Sequence, residues 1–220
     1  MIHLSRYGVD FKIDMQHDPE LEHFWRNIYN TWESDTYESI LPHLSKDKIF
    51  IDIGAWQGPI SLIAQKYSKQ CICFEPDPIA YEILVKNIKL NEFTNIIAIN
   101  AAVSSERELY IGNDVLGNGC SSYLKSENFI KCSTISFSEL LTQFHLNETN
   151  ISVIKIDIEG YECKLLQDPV LKNINVCKHI SLHSNFFTNK EEYFNNLKIF
   201  FGSDYLFSDN KFESIFINKI

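Results

Sequence analysis

Ile49-Phe50-Ile51-Asp52-Ile53-Gly54-Ala55-Trp56-Gln57-Gly58 is the stretch that decides the fold. An apolar run closed by a glycine-bounded turn describes a strand buried on both faces that stops abruptly. Pro59 then fits the first turn of a helix, where its missing N–H costs nothing, and Ile60, Ile63, Ala64 and Tyr67 continue at helical spacing. Strand, tight turn and helix open a βαβ unit, and the turn is where such units bring backbone close to a ligand.

The same alternation runs on from there. Gln70-Cys71-Ile72-Cys73-Phe74 reads as a second strand, and Asp77 as an N-cap with Pro78 behind it and Ile79, Ile83, Leu84 and Ile88 on one helical face. Residues 95–100 and 107–111 read as strands, with a turn at Asn118-Gly119. Ser136-x-x-Glu139 has the form of a capping box, so a helix starts there. Ile151–Ile156 forms a strand stopped at Asp157, followed by a helix from about Tyr161, a strand near 178–182, a helix near 190–201 and closing strands near 204–208 and 212–217. Alternating strands and helices predict an α/β fold with a mostly parallel sheet, whose ligands sit at the carboxyl ends of its strands.

No Pro/Gly/Ser-rich linker divides the 220 residues, so the chain reads as one domain over 37–220 with an N-terminal extension over 1–36. Apolar residues are 45% of the chain, with 16 Phe and 10 Tyr, enough for a continuous core. The net charge is −9 without a basic run, which disfavours nucleic acid as partner. No signal-like or membrane-length apolar run appears, so a soluble, cytoplasmic protein without a membrane partner is expected. Six cysteines without a C-x-x-C pair read as reduced, buried thiols.

The chemistry is sought at the strand ends. A dinucleotide fingerprint would want glycine where Asp52 stands, and a carboxylate there repels pyrophosphate. It suits a cofactor with a cationic amino group, such as S-adenosylmethionine; a purely structural turn is the alternative. Glu75 follows the second strand, where one carboxylate can accept from both ribose hydroxyls. Asp157 and Glu159 end the strand at 151–156, and Glu162 is expected to face solvent. His183 follows the next strand and is read either as a proton acceptor or as a structural histidine. His43, His145 and His179 lack such a placement.

Three blocks resemble the FkbM family of S-adenosylmethionine-dependent methyltransferases: Asp52-x-Gly-Ala-x-x-Gly58, Phe74-Glu75-Pro76-Asp77-Pro78, and Ile154-Lys155-Ile156-Asp157-Ile158-Glu159-Gly160-Tyr161-Glu162. Asn87-x-x-x-Asn91, Asn100-Ala101-Ala102-Val103, Gly119-Cys120-Ser121-Ser122 and Leu182-His183 support them. The resemblance implies a Rossmann-like class I methyltransferase fold, a seven-stranded mostly parallel sheet with an antiparallel terminal strand. It implies that Asp52, Gly54, Ala55 and Gly58 line the methionine and ribose, that Glu75 in its Pro76-Asp77 turn holds the ribose, and that Asn100, Ala101 and Ala102 lie near the adenine. Family members commonly methylate hydroxyls of sugars or other small molecules. Trp56 stands where the family usually has Asn, Ser136 where it has Asp and Ser181 where it has Glu.

The expected activity is O-methyl transfer to a small-molecule or sugar acceptor, with Asp157 and His183 helping to remove the hydroxyl proton and Glu159 anchoring the acceptor. No residue is assigned to a metal, although the carboxylates and His183 could instead collect a divalent cation. A regulatory subunit that binds the cofactor without catalysis is the rival from another class. Segments 1–36, with Trp25, Tyr29 and Trp32, and 112–135 are expected to cover the cleft.

Overall fold

The computed structural model describes residues 1–14, 19–112, 129–181, 191, 195, 197–199, 205–209 and 214–219. Strands β1 (Ile2–Arg6) and β2 (Val9–Ile13) form a hairpin about Tyr7-Gly8. Helix α1 (Pro19–His23), a π-helical turn over Phe24–Ile28 and α2 (Ser34–Ile40) lead to β3 (Ile49–Ile53). Next come α3 (Ser61–Ala64), β4 (Gln70–Phe74), α4 (Pro78–Leu90) and β5 (Ile96–Ile99). Four short strands, β6 (Ala102–Val103), β7 (Leu109–Gly112), β8 (Phe129–Cys132) and β9 (Thr134–Ile135), precede α5 (Phe137–Gln143). The chain continues through β10 (Ile151–Ile156), α6 (Glu162–Leu165), α7 (Pro169–Asn173), β11 (Cys177–Ser181), β12 (Tyr205–Asp209) and β13 (Ser214–Lys219).

Seven strands make the main sheet in the order β12-β13-β11-β10-β3-β4-β5. The pairings from β11 to β5 are parallel, and β13 is antiparallel to both its neighbours. This is the class I methyltransferase arrangement: the antiparallel strand is last in the chain but lies one place in from the sheet edge. Strand order reverses between β3 and β10, and the crevice outside their carboxyl ends is where open α/β sheets bind ligands.

Strand residues alternate between two cores, one on each face. Ile51, Ile53, Ile72, Phe74, Ile154 and Ile156 pack on one side with residues of α5, α6 and α7. Phe50, Cys71, Cys73 and Val153 pack on the other with α3, α4 and the N-terminal hairpin. Residues 1–36 thus contribute Ile2, Phe11, Ile13, Trp25 and Tyr29 to a core shared with the central strands.

The expected caps form. Asp77 accepts from the N–H groups of Ile79 and Ala80 (2.8 and 3.2 Å), and Ser136 and Glu139 close the capping box. Two helices are shorter than their apolar spacing suggests, α3 and α6 having four residues each. After α6, Asp168 caps a new helix with Pro169 behind it, so the chain restarts instead of extending. The expected helix near 190–201 falls largely outside the described residues. Cys71, Cys73, Cys132, Cys163 and Cys177 are not in disulfides, and no described helix is long and apolar enough to cross a membrane.

Candidate active site

A cleft of about 350 Å³ opens at the carboxyl ends of β3, β4 and β10, inside the range of roughly 300–1,000 Å³ usual for small-molecule sites. Gly54, Ala55 and Trp56 from the turn after β3 meet Glu75, Pro76 and Asp77 after β4 and Asp157, Ile158 and Glu159 after β10. Ala102, Val103, Leu109 and Ile111 add an apolar wall, and Phe24, Trp32 and Glu33 reach in from the N-terminal segment. Gly58, Asn100 and Ala101 are not among the lining residues; the Asn100 side-chain amide donates to the Glu75 and Pro76 carbonyls (2.8 and 3.2 Å) and so holds the β4 turn.

Glu75 ties the turns after β3 and β4 together. One carboxylate oxygen accepts from the Trp56 N–H (2.7 Å) and the other from the Asp77 N–H (2.8 Å). Burial pushes its carboxyl up to about 7, partly offset by those two donors. Below that value Glu75 carries a proton that two ribose hydroxyl donors would displace. Binding of S-adenosylhomocysteine is therefore expected to release a proton and to tighten as pH rises from 6 to 8. Glu75→Gln should flatten that dependence, while an unchanged pH slope in calorimetry of the variant would separate Glu75 from the ligand.

Asp52 occupies a different place from the cleft wall. It is fully buried in β3, on the sheet face that carries α3, and accepts from the Ser61 hydroxyl. Its cationic partner is Lys155, the residue opposite it in β10, whose ammonium lies 3.1 Å from Asp52 Oδ1 and 3.3 Å from Asp157 Oδ2 and donates to the Gly54 carbonyl (2.7 Å). Burial alone would lower the Lys155 pKa, but Asp52, Asp157 and Glu33 together hold it above its ordinary value. Burial raises the Asp52 carboxyl despite Lys155 and Ser61. One lysine thus fixes the ends of β3 and β10 at the glycine turn, a role that its place inside an apolar strand did not announce.

Six non-glycine residues among those described have positive φ, and three of them, Glu33 (44°), Trp56 (49°) and Glu159 (49°), line the cleft. Such backbone is uncommon outside glycine and asparagine and collects at functional sites. The resemblance implies asparagine at this point, a residue that tolerates the left-handed conformation Trp56 adopts. Tryptophan gains aromatic packing instead: its ring stacks on Trp25 (6.1 Å, 6°) and meets Phe24 at 5.0 Å. The turn after β10 is held by Glu162, which is buried and accepts from the Ile158 and Gly160 N–H groups (3.1 and 2.9 Å). The solvent-facing position expected of it is thereby corrected.

His179, on β11, is buried between the Thr36 and Ser39 hydroxyls (3.2 and 2.8 Å), and burial drives it down to about 4, so it stays neutral. His183 and the Gly119–Ser122 block lie outside the described residues. No cluster of three His, Cys, Asp or Glu side chains suited to a cation occurs among the described residues.

The Methyltransferase FkbM domain model matches residues 48–208. Hexuronic acid methyltransferase AglP of Haloferax volcanii is 24% identical over 164 residues, 74% of this chain and 65% of that protein. An uncharacterized protein, MJ1452 of Methanocaldococcus jannaschii, is 34% identical over 62 residues, 28% of this chain and 24% of that one; under two thirds of either relative is spanned. Among solved structures, the FkbM methyltransferase of Methylobacillus flagellatus superposes with a TM-score of 0.53 at 14% identity, covering 79% of this chain and 44% of that one. SMU.1697c of Streptococcus mutans, a candidate methyltransferase crystallised with S-adenosylhomocysteine, gives 0.54 at 10% identity, covering 84% and 96%. The family match extends across the turns after β3, β4 and β10 that together build the cleft, and the chain belongs to the FkbM family of S-adenosylmethionine-dependent methyltransferases.

Proposed function

We propose that the protein transfers the methyl group of S-adenosylmethionine to a hydroxyl of an uncharged small molecule, a sugar in the first instance. The cleft suits that donor by its chemistry: carboxylates at the ends of β4 and β10 can meet ribose hydroxyls and an ammonium, and an apolar wall of Ala102, Val103, Leu109 and Ile111 can take a flat base. Bound there, the donor supplies an electrophilic methyl group on a sulfonium.

The observation that carries the acceptor class is the charge of the lining. Glu33, Glu75, Asp77, Asp157 and Glu159 all border the cleft, and the one lining cation among the described residues, Lys155, is occupied by Asp52 and Asp157. A carboxylate or phosphate acceptor would meet five acids and an engaged lysine, whereas a hydroxyl finds acceptors for its proton. Similarity to a hexuronic acid methyltransferase supports a sugar. The partly buried rings of Phe24, Trp32 and Trp56 offer the C–H face of a pyranose a flat apolar surface. The chain's own part is then to hold the acceptor, exclude water and receive a proton. Residues 1–36 serve in this reading as a cover over the cleft, and Glu159 at its rim as an anchor for the acceptor.

Labelled S-adenosylmethionine offered with neutral glycosides, hexuronates and phenols tests the proposal. Label is expected in neutral sugars as an alkali-stable ether. Label found solely as an alkali-labile ester on hexuronates would sink the hydroxyl reading.

A further inference from the structure

We propose that Glu33 is the residue that binds the acceptor hydroxyl and takes its proton, a role resting on the O-methyl reading above. Glu33 enters the cleft from outside the blocks that carry the cofactor. Its backbone is held left-handed at φ 44° just before α2, and its Oε2 is buried with no hydrogen-bond donor supplied by the described residues. A buried carboxylate oxygen left without a donor is costly unless a ligand provides one. The terminal torsion of a glutamate is soft, so either oxygen can be turned to the cleft.

The other lining acids are placed for different work. Glu75 accepts from two backbone N–H groups, Asp77 caps α4, and Asp157 lies against the Lys155 ammonium. Glu33 has no such cation at ion-pair distance among the described residues, although Lys155 attracts it at longer range. Burial, followed by the nearby Asp157, pushes its carboxyl up to about 8, while Lys155 and hydrogen bonding of the carboxyl to the Thr36 hydroxyl pull down and Asp35 pushes up; Tyr37 also feels its charge. A base with that affinity is well matched to a proton leaving a hydroxyl near neutral pH.

In the step, the acceptor oxygen forms its bond to the methyl carbon as Glu33 takes the hydroxyl proton. The electron pair of the breaking C–S bond returns to sulfur, cancelling the sulfonium charge. Glu33 then releases its proton to water, so charge and atoms balance.

The test compares the native chain with Glu33→Gln and Glu33→Asn on the best neutral-sugar acceptor found in the labelling panel. Native turnover should climb about tenfold per pH unit below 8 and level above it. Glu33→Gln should lose about 10²-fold or more in kcat and lack that limb, with S-adenosylhomocysteine affinity unchanged. Glu33→Asn, which adopts the left-handed backbone more easily, should melt no lower than the native protein yet turn over as poorly. In the S-adenosylhomocysteine complex, the Glu33 carboxyl observed by carbon-detected NMR should titrate near 8; a midpoint in the ordinary carboxylate range overturns the proposal. So does Glu33→Gln turning over at the native rate with the native pH limb. The two readings fail separately: no transfer to any hydroxyl, with S-adenosylhomocysteine still bound, removes the function and this step together, whereas transfer unaffected by Glu33→Gln removes the step alone.

Discussion

Gly54→Ala is expected to yield a protein that neither melts cooperatively near the native temperature nor binds S-adenosylhomocysteine. A Cβ at this position would stand 1.7 Å from the Asp157 carbonyl oxygen and 2.8 Å from its carbon, with φ at +80°. The obstacle is the backbone of a neighbouring central strand, so rotation of a side chain cannot relieve it. Nor can the turn shift: the N–H groups of Gly54 and Ala55 both donate to the Phe74 carbonyl, and the Gly54 carbonyl accepts from Lys155. Steric overlap and unfavourable φ together place the cost in the exceptional class, above about 4 kcal/mol. Gly58→Ala makes the informative contrast, because the atom met there at 2.6 Å is Leu84 Cδ1, the tip of a flexible side chain. It should melt lower than the native protein but above Gly54→Ala. Native melting and native affinity in Gly54→Ala would mean that β3 and β10 are not clamped at this turn.

Lys155→Met should cost roughly 3–5 kcal/mol, the penalty for leaving a buried acid without its cation. Asp52 is fully buried and Asp157 nearly so, with side-chain exposures of 0% and 15%, and both lose the ammonium. Without Lys155 the Asp52 carboxyl rises further above its unfolded value, so the variant is favoured as pH falls through that raised value. Denaturant melts should therefore show the gap to native narrowing towards acid pH. Asp52→Asn in the Lys155→Met background should recover part of the loss, since the residues contact each other and their effects are not additive. A variant within about 1 kcal/mol of native at neutral pH would contradict the assigned role of Lys155.

Local chemistry reads directly from the chain where it is repetitive or capped. Apolar runs of five or six residues at 49–53, 70–74 and 151–156 become central strands, because a parallel sheet covered on both faces needs side chains of one kind throughout. Asp77 and Ser136 cap helices because their oxygens answer N–H groups within three residues, a problem settled locally. The N-terminal hairpin had a signal as well: Val9-Asp10-Phe11-Lys12-Ile13 alternates strictly, and Tyr7 and Gly8 share positive φ, as a two-residue hairpin turn requires. Its five residues are a weaker signal than the longer apolar run at 151–156.

By itself, the sequence determined the order of strands and helices, the turn at Gly54 and the presence of acids at three strand ends. Only the tertiary structure decided what those acids meet. A strand sends successive side chains to opposite faces, and when both faces are apolar nothing local says which neighbour a lone polar residue meets. Asp52 turns away from the cleft because register sets it against Lys155, more than a hundred residues on. Glu33 reaches the cleft because the rings of Phe24, Trp25 and Trp32 pack against Trp56 and bring the N-terminal segment to the turn after β3. Both outcomes depend on contacts between residues far apart in the chain, which exist only once the sheet has formed.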